Sequence, residues 1–139
     1  MADKSKNVSQ PKDYKLIVEK DVQITLRDGT ILYADIFRPG SENESKNESG
    51  GEKFPVIMNI GPYMKDKLWV PPPDLEEKPN PYMNWETGNP LWWVPRGYAL
   101  LRVDTRGSGK SPGKSDPSSY QESLDCYDCI EWVAKLPWC

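Results

Sequence analysis

Val22-Gln23-Ile24-Thr25-Leu26-Arg27-Asp28-Gly29-Thr30-Ile31-Leu32-Tyr33-Ala34-Asp35-Ile36-Phe37-Arg38-Pro39-Gly40 is the stretch that decides the fold. Val22, Ile24 and Leu26 alternate with polar residues, the period-two pattern of a strand with one buried face. Asp28-Gly29 suits the positive φ angles of a tight hairpin turn. A return strand runs from Ile31 to Phe37 with Leu32, Ala34 and Ile36 on one face, and Pro39-Gly40 is expected to stop it. The whole reads as an antiparallel hairpin.

Upstream, residues 1–20 form a polar, lysine-bearing leader, expected to be mobile, with no apolar core of a secretory signal. The folded part is expected over residues 21–139. Downstream, residues 41–53 carry no apolar side chain and read as a solvated loop. Pro55-Val56-Ile57-Met58-Asn59-Ile60 is a continuous apolar run of the kind found in strands buried on both faces, and Gly61-Pro62-Tyr63 ends it.

Residues 64–97 are rich in proline and tryptophan, with a short helix expected near Leu91 to Val94. A long irregular segment of this kind is either functional or an aromatic cover over a sheet edge. Gly97 to Asp104 is a second buried strand, followed by a polar turn from Thr105 to Pro117. Ser119 then opens a helix, with Glu122 completing a capping box. Leu124, Tyr127, Ile130 and Ala134 recur at helical spacing and are expected to face the core, with Glu122, Asp125, Asp128 and Glu131 turned to water. The predicted order is hairpin, buried strand, irregular crossover, buried strand, helix, an α/β sheet whose first strands are antiparallel.

Length and composition bound the function. A chain of 139 residues supports one domain. Fourteen prolines and six tryptophans favour short strands and aromatic loops over a helical bundle. A net charge of −3 with interspersed signs gives no nucleic-acid footprint. No apolar run approaches the ~18 residues of a membrane span, so neither nucleic acid nor membrane is expected as a partner. Sequons at Asn7, Asn43 and Asn47 read as chance matches in polar loops, and a cytoplasmic address is the expectation. Three cysteines leave an odd one and suit reduced thiols. Histidine is absent, which removes a Ser-His-Asp triad, a Cys-His pair and His-containing zinc sites from these residues. Neither cofactor nor metal is expected.

Three local motifs invite a functional reading that fails on chemistry. Gly107-Ser108-Gly109-Lys110-Ser111 ends like a phosphate-binding loop, but Asp104 stands where that loop needs its first glycine, and a carboxylate would repel phosphate. Cys126-Tyr127-Asp128-Cys129 has redox spacing, yet both thiols fall mid-helix among carboxylates, where they read as small apolar residues. Ser108 lacks the glycine spacing of a nucleophile elbow and reads as part of a turn.

A wider constellation carries more. The hairpin wording Arg27 to Pro39 is followed by Phe54-Pro55-Val56-Ile57-Met58, Gly61-Pro62-Tyr63, Arg96-Gly97-Tyr98-Ala99 and Asp104-Thr105-Arg106-Gly107-Ser108-Gly109. Asp125-x-x-Asp128-x-Ile130-Glu131-Trp132-Val133 and Pro137-Trp138-Cys139 close the set. In this order, over residues 20 to 139, the chain resembles the N-terminal portion of α/β-hydrolases of the cocaine esterase and X-Pro dipeptidyl-peptidase family (CocE/NonD, S15-like).

The resemblance implies the N-terminal half of an α/β-hydrolase sheet, incomplete, with a hairpin, two buried strands and one crossover helix. It implies a serine hydrolase acting on ester or amide bonds of a small molecule. The family's Gly-x-Ser-Tyr-x-Gly elbow, aspartate and histidine would come after these residues, so the chain alone is expected to be inactive. Tyr63 matches the family tyrosine whose phenol donates into the oxyanion hole, the second donor being the backbone N–H after the elbow serine. The opposing reading of Tyr63 is a side chain packed in the irregular segment. Asp104 and Arg106, at the end of the next strand, read as an ion pair shaping the floor of the site. The rival to the truncated hydrolase is a short non-catalytic protein or pseudogene product that retains half the fold. With a sheet partner missing, Val56 to Ile60 would be an open apolar edge, and self-association is expected.

Overall fold

The computed structural model describes residues 10–40 and 51–139; the expectations for residues 1–9, for most of the 41–53 loop and for the three sequons lie outside them. The hairpin forms as read and is longer at both ends. Strand β1 spans Lys15–Thr25 and pairs antiparallel with β2, Ile31–Gly40. The leader therefore yields to strand at Lys15, and the 1–20 boundary is corrected there. Alternation hid this half of β1 because the register shifts between Glu19 and Val22, where Asp21 takes a φ of 56°.

The turn closes with Leu26 N–H donating to Thr30 O at 2.9 Å, and Gly29 supplies the single left-handed residue at φ 84°. That makes it a three-residue loop with a glycine at its αL position. Pro39 does not stop β2. Pairing of β2 with its inner neighbour ends at Phe37, so the missing N–H of Pro39 costs no ladder bond on that side.

Strand β3, Val56–Gly61, and β4, Ala99–Asp104, pair in parallel, giving the sheet order β1-β2-β4-β3. β4 is central and buried throughout, as a continuous apolar run requires. β3 is an edge and only half-buried, which corrects the expectation that both its faces are covered. Between them the crossover is irregular apart from helix α1, Pro90–Trp93, and a 3-10 turn at Val94–Arg96. Helix α2 spans Tyr120–Val133; Ser119 Oγ accepts from Glu122 N–H at 3.2 Å, and the Glu122 carboxylate accepts from Ser118 N–H at 2.7 Å.

The two faces of the sheet carry different cover. Ala34, Ile36, Leu101 and Val103 pack with Cys129, Val133 and Trp138 under α2. Phe37 and Leu100 pack with Val94 and Trp93 under the crossover segment.

Helix α2 is rotated from its expected setting. Asp125, Cys129 and Val133 are buried, while Tyr127 and Ile130 lie exposed. The reason is electrostatic. Arg106 forks onto Asp125 with two bonds of 2.9 Å and also reaches Asp28, and Arg27 grips Asp128 at 2.6 Å. These pairs draw the acidic side of the helix onto the hairpin and the β4 exit. The expected Asp104–Arg106 pair does not form, because the turn from Thr105 to Ser108 carries Arg106 to the helix side. The quoted motifs thus meet in space. The hairpin turn, the Asp-Thr-Arg-Gly turn and the Asp-x-x-Asp helix are one ion-paired corner.

Trp138 folds back into the core, with its carbonyl accepting from Phe54 N–H at 2.8 Å. Among the cysteines, Cys129 is fully buried and burial pushes its thiol up to about 12, as suits an apolar packing role.

Candidate active site

Parallel strands β3 and β4 end side by side, Gly61 against Asp104, and the loops leaving that edge carry the candidate residues. This is where open α/β sheets place their ligands. Tyr63 lies two residues past β3, 49% exposed, and its hydroxyl makes no hydrogen bond to any described residue. The next residue, Met64, holds a left-handed φ of 65°, an uncommon state for a side chain of its size.

That turn is fastened from three directions. Asp104 Oδ1 accepts from Lys65 N–H at 2.7 Å. Asn84 Nδ2 donates to Met64 O at 3.0 Å and to Lys67 O at 2.8 Å. Thr105 N–H donates to Gly61 O at 3.2 Å.

The side chain of Lys65 supplies the deepest anchor. It is 1% exposed, and its ammonium lies 2.6 Å from Asp21, 3.0 Å from Asp35 and 3.0 Å from Asp66. Lys20 joins Asp35 and Asp66 from β1, and Lys110 joins Asp21. Asp35, buried on β2, also accepts the bulged Asp21 N–H at 3.0 Å. The three carboxylates sit close enough to hold a cation, and the lysine ammonium groups provide one. Hydrogen bonds from Lys110 and Lys65 hold the Asp21 carboxyl down at about 2. Burial raises that of Asp104, against the two backbone N–H groups that favour its charge.

Asp104 also settles the phosphate-loop question. Its Oδ2 accepts from Lys110 N–H at 3.4 Å, so a carboxylate already occupies the cradle. A Cβ on Gly109, at φ 53°, would stand 2.1 Å from that oxygen, so only glycine fits there. Ser111 is buried and structural. It donates to Asp104 O at 2.7 Å and accepts from Tyr33 N–H at 3.0 Å.

The tryptophans of the proline-rich segment divide between two cavities. Trp85 and Asn84 line a crevice with Tyr63, and Arg102 forms part of its floor. Trp69, Trp92 and Trp93 wall a larger pocket of about 570 Å3 that also reaches Asn84 and Arg102. Trp69 and Trp85 join the two by an edge-to-face contact with centroids 5.5 Å apart. Sequence reasoning missed Arg102 and Lys65. The signal was an arginine inside the apolar run Leu100-Leu101-Arg102-Val103, which a buried strand does not carry without cause.

A mixed sheet of this order, with its loops gathered at the ends of two parallel strands, places the chain among α/β proteins. A family model for X-Pro dipeptidyl-peptidase (S15 family) matches residues 28–139, and the chain belongs to that family. It is 27% identical over 124 residues to cocaine esterase from Rhodococcus sp. (strain MB1 Bresler), covering 88% of this chain and 17% of that protein. A CocE/NonD family hydrolase from Staphylococcus aureus superposes with a TM-score of 0.71 at 39% identity, covering 88% of this chain and 21% of that one. An alpha-amino acid ester hydrolase shares the fold, with a TM-score of 0.58 at 21% identity. The chain thus spans about a fifth of the length of the proteins it matches. Among the described residues no helix is long and apolar enough to cross a membrane.

Proposed function

We propose that these residues are the opening part of a serine hydrolase that cleaves ester or amide bonds through an acyl-serine, and that Tyr63 donates one of its two oxyanion hydrogen bonds. The carrying observation is a half-exposed phenol, hydrogen-bonded to no described residue, on a turn anchored at the ends of two parallel strands. A donor held in place before the reaction stabilises the charge that develops on the carbonyl oxygen, and it does so without reorganising.

The reading assigns no nucleophile, acid or base to this chain, because it has no histidine and its Ser111 hydroxyl is tied into the β4 exit. The Ser-Asp-His triad would come from residues outside the sequence in hand, and the site uses no cofactor or metal. The fold is then part of an α/β-hydrolase sheet, working in the cytoplasm on a small acyl substrate. The tryptophan-rich segment borders the acyl or leaving-group pocket. The 139-residue chain is expected to leave activated phenyl esters at their background rate. A chain that continues through a Gly-x-Ser-Tyr-x-Gly elbow and the later Asp and His should hydrolyse them. Equal rates from the two would remove the reading.

The same reading makes β3 an exposed parallel edge. Val56 to Ile60 has no charge or proline to discourage pairing, and Tyr127 and Ile130 add exposed apolar surface on α2. Size-exclusion chromatography of the 139-residue chain should show self-association that grows with concentration. A monodisperse monomer melting cooperatively above roughly 55 °C, within the range of ordinary complete domains, would show that the edge needs no partner.

A further inference from the structure

We propose that the tryptophan-walled pocket against β4 is a binding subsite for an aromatic group bearing a carboxylate, and that Arg102 receives the carboxylate. The inference rests on the reading above only in treating the pocket as an extension of the Tyr63 crevice.

Arg102 projects from the centre of β4 on the face away from α2, and the residue is 4% exposed. Its guanidinium donates from Nη2 to Gly88 O at 2.8 Å and lies over the Phe37 ring at 4.7 Å. Its Nε has no hydrogen-bond partner among the described residues. Asp35, opposite Arg102 across the β2–β4 ladder, favours its charge but makes its ion pairs with Lys20 and Lys65. A buried cation with an unused donor and no direct ion pair among the described residues is costly unless something completes it. Burial pulls the Arg102 guanidinium down to about 10, and the charge of Asp35 opposes that shift only in part.

The largest of the cavities that Arg102 lines gives such a partner a route. At about 570 Å3 the space falls within the ~300–1,000 Å3 typical of small-molecule sites. Trp69, Trp92 and Trp93 make its walls, and Met83 lies beside them. Such walls take a flat ring by edge or offset stacking. A carboxylate on that ring would add a charge-assisted bond to Arg102 where it lines the pocket. Glu77 is the one acidic residue of the lining; it is exposed, and one of its oxygens already accepts from Asn89 Nδ2 at 2.6 Å. Because Asn84 and Arg102 border both cavities, a ligand in the pocket lies next to the crevice of Tyr63.

The test is a tryptophan-fluorescence titration of the 139-residue chain with phenylacetate, with benzyl alcohol and acetate as the neutral aromatic and the ring-free carboxylate. Phenylacetate should give a saturable change and bind at least about tenfold more tightly than either control, the worth of one charge-assisted hydrogen bond. Arg102→Met should weaken phenylacetate by a similar factor and leave benzyl alcohol unchanged. Circular dichroism checks that this variant keeps its fold. If it does not, Trp92→Leu, at the exposed rim, takes its place and should weaken phenylacetate several-fold. A non-saturating response, or equal phenylacetate affinity in the wild type and the folded variant, overturns the proposal. The titration involves no turnover, so its failure leaves the role of Tyr63 standing. A kinetically silent Tyr63→Phe would likewise leave the pocket standing.

Discussion

In a chain that carries the elbow serine and the rest of the triad, Tyr63→Phe is expected to lower kcat by about 10²- to 10³-fold with KM little changed. That is the range for losing one oxyanion donor. The substitution removes one oxygen from a side chain that is half exposed and bonded to no described residue, so the fold loses no contact with it. An interaction made only as the tetrahedral oxyanion develops appears in kcat and not in substrate binding. A loss below about threefold would leave one backbone N–H holding the oxyanion and reduce Tyr63 to a wall of the crevice. Steady-state kinetics on an activated ester, with melting curves of both proteins, separates the two outcomes.

Lys65→Met is expected to be the most damaging single substitution for stability, costing about 3–5 kcal/mol, the penalty for breaking a buried ion pair by removing one partner. The side chain is 1% exposed and its ammonium is shared by Asp21, Asp35 and Asp66; without it the three carboxylates face one another with Lys20 and Lys110 beside them. The urea midpoint should fall with the slope of the transition unchanged. The pH dependence should change with it. Asp21 has its carboxyl lowered from 3.8 to about 2 by hydrogen bonds from Lys110 and Lys65. A lowered carboxyl stabilises the fold above its unfolded value, and that contribution disappears as the pH falls from about 4 toward 2. The wild-type chain should lose stability over that window, and Lys65→Met should show a shallower acid limb. A variant with the wild-type midpoint would show that water, not protein, solvates the cluster.

The hairpin was legible because its information is local. Alternation fixes the faces and Asp28-Gly29 fixes the turn, whatever the rest of the chain does. The capping box at Ser119 is local in the same way. The errors lie where distant residues decide. Asp125 was placed in water because a carboxylate on a helix belongs there unless a cation meets it, and Arg106 reaches it from the β4 exit across 19 positions. Pro39 does not stop β2 because the strand goes on pairing with Lys15 and Leu16, beyond the β1 bulge that breaks the alternation. The half-burial of β3 follows from its edge position, a matter of sheet order rather than of its own apolar run.

The candidate site divides along the same line. Tyr63 came from the wording around it. The lysine and aspartate anchors that hold its turn are spread from Lys20 to Lys110, and no spacing rule connects them. Arg102 was hidden by its own neighbours, since three apolar residues around it read as an ordinary buried strand.

Covalent labelling tests most directly the proposal that these residues supply no nucleophile of their own. The 139-residue chain is incubated with a fluorophosphonate probe and any adduct is located by mass spectrometry. The expected result is no specific adduct, because Ser111 is buried with its hydroxyl committed to Asp104 O, and no histidine exists to take a proton from Ser108. Stoichiometric labelling of Ser108 or Ser111 would contradict the account.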